Sequence, residues 1–189
     1  MEPAELLGIL HLSERLKDAA RHCVTSGGRQ ESVAEHSWRL ALAAFFLRDE
    51  FPEADMDRVI RMCLIHDLGE CFTGDIPTFQ KTDADRAREG ALLEQWVQTL
   101  PPPYREELAA LYKEMERRET VEAKVYKALD CMEAVIQHNE SPLSSWSENE
   151  YALNLVHGFD KAAFSPYLTR LRQAVRQETE EKLRREGAL

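Results

Sequence analysis

The sequence contains no apolar run long enough to cross a lipid bilayer, which takes about 20 residues. Its longest apolar run, LALAAFFL, covers only residues 40–47. The first residues, MEPAELLGILHLSERL, also lack the basic start and apolar block of a secretory signal. Together these absences predict a cytoplasmic protein that has no membrane partner.

Basic residues are in deficit, with 24 Lys and Arg against 34 Asp and Glu and a formal net charge of −10. Because a phosphate backbone requires a basic protein surface, a nucleic-acid polymer is not an expected partner. A small anionic substrate is still compatible with this charge, since a few arginines can make one pocket locally positive.

The cysteines form no CxxC pair, so the sequence predicts neither a disulfide framework nor a zinc knuckle. We expect reduced, structural thiols at all four positions. They are Cys23, Cys63, Cys71 and Cys131.

Glycine and proline are sparse, with eight of each, and they gather at a few breaks such as SGG, TGDIP and PPP. Apolar residues between the breaks recur at helical spacing, and no run alternates apolar and polar residues as a strand would. A chain of 189 residues with this pattern predicts one all-α domain. Within its apolar helices, Trp38, Phe45 and Phe46 are expected in the core.

Polar residues with metal-ligand chemistry lie at the ends of two apolar helices. Ser32 and Glu35 form a capping-box pattern, which puts His36 about one turn inside a helix. His66 and Asp67 fall in the last turn of a second helix, predicted over residues 58–67. Gly69 is expected to end that helix in the left-handed conformation.

The segment LIHDLGECFTGDIP, residues 64–77, therefore has two interpretations. One is a metal site, and the other is a solvated helix end where His66 meets the helix dipole. A His-Asp pair alone does not decide between them.

Farther along the chain, spacing alone favours a solvated ladder of Lys127, Asp130 and Glu133. His11, His138 and His157 fall in no ligand pattern and are expected at the surface or in local hydrogen bonds.

The combination of His36, the pair His66–Asp67, and Asp130 resembles the HD-domain superfamily of metal-dependent phosphohydrolases. The segments GRQESVAEHSWR, HDLGECFTGDIPT and KALD look like the branch that contains bacterial 5′-deoxynucleotidases and their eukaryotic HD-domain relatives. The most specific of these motifs is E-x-x-x-G-D-[IL]-P at residues 70–77. The resemblance implies one HD-type helical bundle over residues 1–189, with a motif-bearing core at about 16–140 and a helical extension at about 160–186.

The resemblance also implies that the two histidines and two aspartates hold one divalent ion, and that Glu70 and Asp75 are the catalytic acids. A mixed nitrogen and oxygen set suits Mn²⁺, Co²⁺, Fe²⁺ or Zn²⁺. No histidine occurs between Asp67 and Asp130. Related two-metal phosphodiesterases supply extra histidines in that interval, so a mononuclear site is favoured here.

Four further residues are candidates for contact with the substrate. Arg21 matches a family position that contacts phosphate, and Arg29 and Lys81 lie near the motifs. Solvated surface charge stays open for all three. His22 stands where some family members carry Trp, which leaves the sugar preference undecided.

The expected function is therefore metal-dependent release of phosphate from nucleoside 5′-monophosphates, preferentially deoxyribonucleotides. One alternative is a non-catalytic HD module that binds a nucleotide or a metal for regulation. Another is hydrolysis of a nucleoside triphosphate or a different small phosphoester. The amphipathic helix near residues 166–186 is expected either to seal the domain or to form a homodimer contact.

Overall fold

The computed structural model describes residues 1–188, and most of them are helical. The helices are α1 (Pro3–Ser13), α2 (Val33–Phe46), α3 (Met56–Ile65), α4 (Glu70–Thr73), α5 (Asp83–Gln98), α6 (Tyr104–Arg117), α7 (Val121–Glu140), α8 (Glu150–Val156), α9 (Phe159–Ala162) and α10 (Pro166–Arg185). Short 3₁₀ turns occur at Glu14–Lys17, Arg48–Glu50 and Leu143–Ser145. The all-α prediction is confirmed. Across residues 1–188, no helix has the length and apolar character that crossing a bilayer would require.

A small antiparallel hairpin is the one addition to the helices over residues 1–188. Its strands are β1 (Ala20–Val24) and β2 (Gln30–Ser32), with Ala20 opposite Ser32 and Val24 opposite Gln30. The sequence did not reveal the hairpin because its strands are too short to display alternation. Strand β2 leads directly into α2, where the predicted capping box of Ser32 and Glu35 is present.

The core forms where α2, α3 and α7 pack together. Leu40 of α2, Val59 and Met62 of α3, and Leu129 and Met132 of α7 are almost completely buried there. All four cysteines lie within the described residues, and each is free and buried, as predicted. The helices that carry the candidate ligands are thus fixed to one another by apolar packing.

The prediction that the aromatic residues of α2 belong to the core is wrong. Trp38 is 61% exposed, Phe45 45% and Phe46 73%. Successive residues of an α-helix point about 100° apart, so the face that buries Leu40 and Ala44 turns these rings toward solvent. Apolar composition alone does not distinguish the two faces of such a helix.

The chain around the second candidate helix end also differs from the prediction. Helix α3 ends at Ile65, and Gly69 has right-handed angles, φ −58° and ψ −30°, instead of left-handed ones. Positive φ occurs at Gly74 (73°). Gly69 is needed for space, because a Cβ there would lie 2.8 Å from the Glu89 side chain on α5.

A buried arginine fastens the C-terminal helix to the preceding segment. Arg172 of α10 is fully buried and donates to the backbone carbonyls of His157 (2.6 Å) and Asn154 (2.7 Å). Its guanidinium carbon also lies 4.4 Å from the centre of the Phe159 ring. Burial lowers the pKa of Arg172 to about 10. These contacts hold α8 and α9 against the bundle.

Replacing Leu40 by Ala should destabilise the fold by about 2–5 kcal/mol, because it leaves a cavity between α2, α3 and α7. Leu42 on the same helix is 39% exposed, and Leu42→Ala should change stability by no more than about 0.5 kcal/mol. Urea unfolding of the two variants measures the difference. Equal losses would mean that the two faces of α2 are not buried as described.

Candidate active site

Two histidines point the same ring nitrogen toward a shared space. His36 of α2 is hydrogen-bonded through Nδ1 to Glu133 of α7, and its Nε2 lies 3.3 Å from Asp130 Oδ1. His66 is bonded through Nδ1 to the Cys63 carbonyl oxygen at 2.8 Å. Because a partner holds each Nδ1, both rings present Nε2, which is the usual arrangement of metal-binding imidazoles.

Carboxylates complete this cluster. Asp67 Oδ2 lies 2.9 Å from His66 Nε2, and Asp130 Oδ1 lies 3.7 Å from the same nitrogen. Donor atoms of His36, His66 and Asp67 all lie within 4.8 Å of one another. In residues 1–188, no group is aligned to hydrogen-bond with the buried His66 Nε2. The four side chains predicted as ligands therefore come together, and a divalent cation fits this donor set.

The cluster favours positive charge. Burial and nearby Arg21 lower the pKa of His36, but hydrogen bonds with Asp130 and Glu133 outweigh them and raise it to about 10. Burial opposes ionisation of Asp130, yet Lys127 and the two cluster histidines hold its pKa well below the usual range. Lys127 Nζ lies 2.5 Å from Asp130 Oδ2. The solvated ladder considered for α7 is therefore replaced by a partly buried ion pair.

Two further acids lie beside the cluster, as the motif implied. Glu70 is buried at the start of α4, with Lys81 Nζ 3.6 Å from its Oε1. Burial raises the pKa of Glu70 to about 9, and the negative charges of Asp67 and Asp75 add to the shift. Burial likewise raises the pKa of Asp75. Glu70 and Asp75 both line the adjacent cavity.

The hairpin brings a partly buried arginine to the same place. Arg21 Nε lies 3.1 Å from Glu31, a buried acid on β2, and Arg21 Nη1 lies 3.9 Å from Asp67. His22, the next residue, contacts Glu150 at 3.2 Å and meets the edge of the Phe79 ring. Arg21 and His22 both line the cavity.

The structure does not bring Arg29 to this site. Its side chain is mostly exposed and is paired with Glu35, the capping-box acid of α2. Among residues 1–188, the cavity lining includes Lys81 but does not include Arg29. The turn of the hairpin explains the difference, because it directs Arg29 toward solvent.

A cavity of about 540 Å³ opens next to the cluster. Its walls carry basic side chains although the protein as a whole is acidic. They are Arg21, Lys81, Arg86, Arg118, Lys127 and Lys161. The acids on the same walls are Asp67, Glu70, Asp75, Asp130 and Glu150. A cation held by the acids would leave this space positive overall.

Sequence reasoning missed the residues that support the cluster. Spacing places Glu133 only in a solvated ladder, yet Glu133 is 3% exposed and holds His36. Glu31 supports Arg21 in the same way. The only sequence signal for Glu133 is its position three residues after Asp130, which puts both on one face of α7.

The expectation of surface or local contacts for His138 is incomplete. Its Nδ1 bonds the Ala134 carbonyl oxygen at 2.8 Å, which is a local contact, but its Nε2 bonds Glu150 at 2.9 Å. Burial opposes protonation of His138, but hydrogen bonds with Cys23 and Glu150 raise its pKa to about 10. Glu150 lies more than ten residues away along the chain, so no sequence pattern indicated the pair.

Known proteins resemble this chain in sequence. The 5′-deoxynucleotidase HDDC2 of Homo sapiens is 37% identical over 115 residues, 59% of this chain and 55% of that protein. The HDDC2 of Mus musculus is 37% identical over 142 residues, 72% of this chain and 70% of that protein. The match to the human protein thus spans little more than half of its length.

Solved structures share the fold. A predicted metal-dependent phosphohydrolase from Magnetospirillum magnetotacticum superposes with a TM-score of 0.77 at 28% identity and 95% coverage of both chains. A conserved hypothetical protein from Pyrococcus furiosus gives a TM-score of 0.70 at 27% identity, covering 90% of this chain and 99% of that one. The family model of the HD domain matches residues 13–172. With that match covering most of its length, the chain belongs to the HD domain family.

Proposed function

We propose that the protein is a metal-dependent phosphohydrolase that releases phosphate from nucleoside 5′-monophosphates, with preference for deoxyribonucleotides. The observation that carries this proposal is the convergence of two imidazole nitrogens and two carboxylates beside a cavity with basic walls. The 5′-deoxynucleotidases that resemble the chain support the choice of substrate.

In this proposal His36, His66, Asp67 and Asp130 hold one divalent ion. Two neutral nitrogens and two anionic oxygens suit Mn²⁺, Co²⁺, Fe²⁺ or Zn²⁺. When bound, such an ion supplies Lewis acidity toward a phosphate oxygen and lowers the pKa of a water molecule. Glu133 and the Cys63 carbonyl oxygen keep the two rings oriented.

Glu70 and Asp75 are proposed to move protons during the reaction. Glu70 is buried beside the cluster and lines the cavity, where it can donate a proton to the leaving ribose oxygen. Asp75, on the same cavity wall, can orient water through its carboxylate. A regulatory module without catalysis would not need these two acids beyond the ligand set.

Arg21 is proposed as the principal anchor of the phosphate, with Lys81 as its neighbour. Buried Glu31 holds the Arg21 fork in place at 3.1 Å, and an arginine fork can grip two phosphate oxygens at once. Lys81 is held by Glu89 at 2.6 Å. Both side chains line the cavity next to Asp67.

A nucleoside triphosphate is the alternative substrate, and one observation favours it. Arg118, Lys127 and Lys161 also line the cavity, and further cations could contact further phosphates. Lys127 is already paired with Asp130 at 2.5 Å and Lys161 with Asp160 at 2.7 Å. Because those two charges are engaged, a monophosphate remains the preferred substrate.

His66→Ala should remove the bound metal and the activity together. Loss of a residue that supports a ligand typically costs about 10–100-fold in metal affinity, and loss of a ligand itself should cost more. Metal content after reconstitution and phosphate release from deoxynucleoside monophosphates are measured on one preparation. The control is His11→Ala, on an exposed position, which should retain both. Full metal content in His66→Ala would remove His66 from the ligand set.

Glu70→Gln should retain the metal and lose about 10²- to 10⁴-fold in kcat, because it removes a proton carrier and keeps the side-chain shape. The matched control is Glu94→Gln on the exposed side of α5, where no loss is expected. Metal analysis and steady-state kinetics separate the two roles. If metal is lost in proportion to activity, Glu70 is a ligand and this assignment is wrong.

Arg21→Lys should raise KM for monophosphates and lower kcat/KM about tenfold, since lysine keeps the charge beside Glu31 but lacks the fork. Metal content should not change. Arg29→Ala is the matched control, because Arg29 belongs to the same hairpin but lies outside the cavity. Deoxynucleoside mono- and triphosphates are compared as substrates. An equal effect of the two variants, or faster hydrolysis of triphosphates, would contradict the substrate assignment.

A further inference from the structure

One buried side chain of the cavity wall has an amide nitrogen that forms no hydrogen bond within the fold. Asn154 of α8 lines the cavity and is only 3% exposed. No group in the described part of the chain accepts a hydrogen bond from its Nδ2. Its backbone carbonyl, by contrast, accepts from Arg172. Because a buried and unpaired amide N–H costs free energy, such a group calls for an explanation.

A second asparagine shows what a structural carboxamide looks like in this protein. Asn139 of α7 donates from Nδ2 to the Val175 carbonyl oxygen at 3.1 Å. Its Oδ1 accepts a hydrogen bond from the Thr179 hydroxyl at 2.9 Å. Asn139 thereby ties α7 to α10 through both ends of its amide. The Nδ2 of Asn154 contributes nothing comparable to the fold.

The wall around Asn154 is firmly held. Glu150, one turn earlier on α8, is buried and accepts from the Ser147 backbone N–H at 2.6 Å. It also pairs with His138 at 2.9 Å and with His22 at 3.2 Å. Burial opposes its ionisation, but hydrogen bonds with His138 and Ser147 lower the pKa of Glu150 to about 2. The wall is thus a fixed polar surface, and the Asn154 Nδ2 on it has no hydrogen-bond partner among the described residues.

Asn154 lies beyond the metal cluster, along the length of α7. Asp130 and His138 both line the cavity from one face of α7, eight residues apart, which is about 12 Å along a helix. Glu150, the first residue of α8, is hydrogen-bonded to His138. Gly158, just after the end of α8, packs against Cys131. Asn154 is between these two points. A nucleotide with its phosphate at the cluster would extend its sugar and base along this wall.

We propose that this wall is a nucleoside subsite in which the Asn154 side chain turns its unpaired Nδ2 toward the cavity and donates a hydrogen bond to the sugar or the base of the substrate. The inference rests on the proposed function, because it takes the phosphate end of the ligand to lie at the metal cluster. It makes Asn154 a specificity-determining residue. The side chain remains unpaired in the protein alone because its partner arrives with the nucleotide.

Asn154→Leu tests the proposal with two independent measurements. Losing one hydrogen bond to the nucleoside should lower kcat/KM for deoxynucleoside monophosphates roughly tenfold. Metal content and inhibition by inorganic phosphate should not change, since neither involves the nucleoside. The melting temperature should stay constant or rise, because the variant removes an unpaired buried amide.

Asn139→Leu is the matched control, and it should behave in the opposite way. Its melting temperature should fall, because Val175 and Thr179 lose their partner, while kcat/KM should change little. Deoxyribose 5-phosphate then separates sugar from base. A tenfold loss that persists with this sugar phosphate assigns the hydrogen bond to the sugar, and a loss seen only with nucleotides assigns it to the base.

Two results would overturn the subsite. One is an Asn154→Leu variant that melts at lower temperature and hydrolyses nucleotides as well as the wild type, which would make the amide structural. The other is an equal loss for nucleotides and for inorganic phosphate binding. If the wild type releases no phosphate at all, the proposed function fails, and calorimetric titration with a deoxynucleoside monophosphate decides the subsite. Weaker binding by Asn154→Leu would support it, and equal binding would overturn it.

Discussion

The structure depends on keeping several negative charges close together with little exposure to solvent. Asp67, from the turn after α3, and Asp130 of α7 both contact His66, while Glu133 of α7 contacts His36. Carboxylates gathered in this way repel one another in a poorly solvated space. Imidazole hydrogen bonds and the Lys127 ammonium offset part of that repulsion. The repulsion that remains favours the binding of further positive charge, which a divalent ion would supply.

Apolar packing supplies the rigidity that this arrangement needs. The ligand candidates come from α2, from the turn after α3, and from α7, and these are the helices that share the main core. Leu40 lies one turn after His36, and Leu129 directly precedes Asp130. A change in the contact between these helices would therefore move the cluster, so the stability of the core and the geometry of the site are linked.

Some buried polar atoms without a hydrogen-bond partner belong to residues that line the cavity. Within residues 1–188 they include Glu70 Oε2 and Asn154 Nδ2. Proteins retain such atoms mainly where they serve something other than folding, because each one costs stability. In the proposed function, Glu70 lies at the end of the cavity that takes the metal and the phosphate, and Asn154 lies on the wall that takes the nucleoside. One cavity thus carries two kinds of unsatisfied chemistry.

The sequence by itself determined the helical class and the cap at Ser32, through helical spacing and a local capping pattern. It also indicated His36 and His66–Asp67 as a group, but only the family resemblance singled out Asp130. Local patterns are visible in a sequence because the residues that form them are neighbours on one helix or turn.

Tertiary structure decided which residues far apart in the chain contact one another and which side chains are exposed. The burial of Glu133 against His36, the pairing of His138 with Glu150, and the exposure of Phe46 all depend on which helix faces which. Arg21 and Arg29 are similar in sequence context, and only the fold of the hairpin directs one inward and the other outward. Partners far apart in the chain leave no periodic signal, so packing alone assigns them.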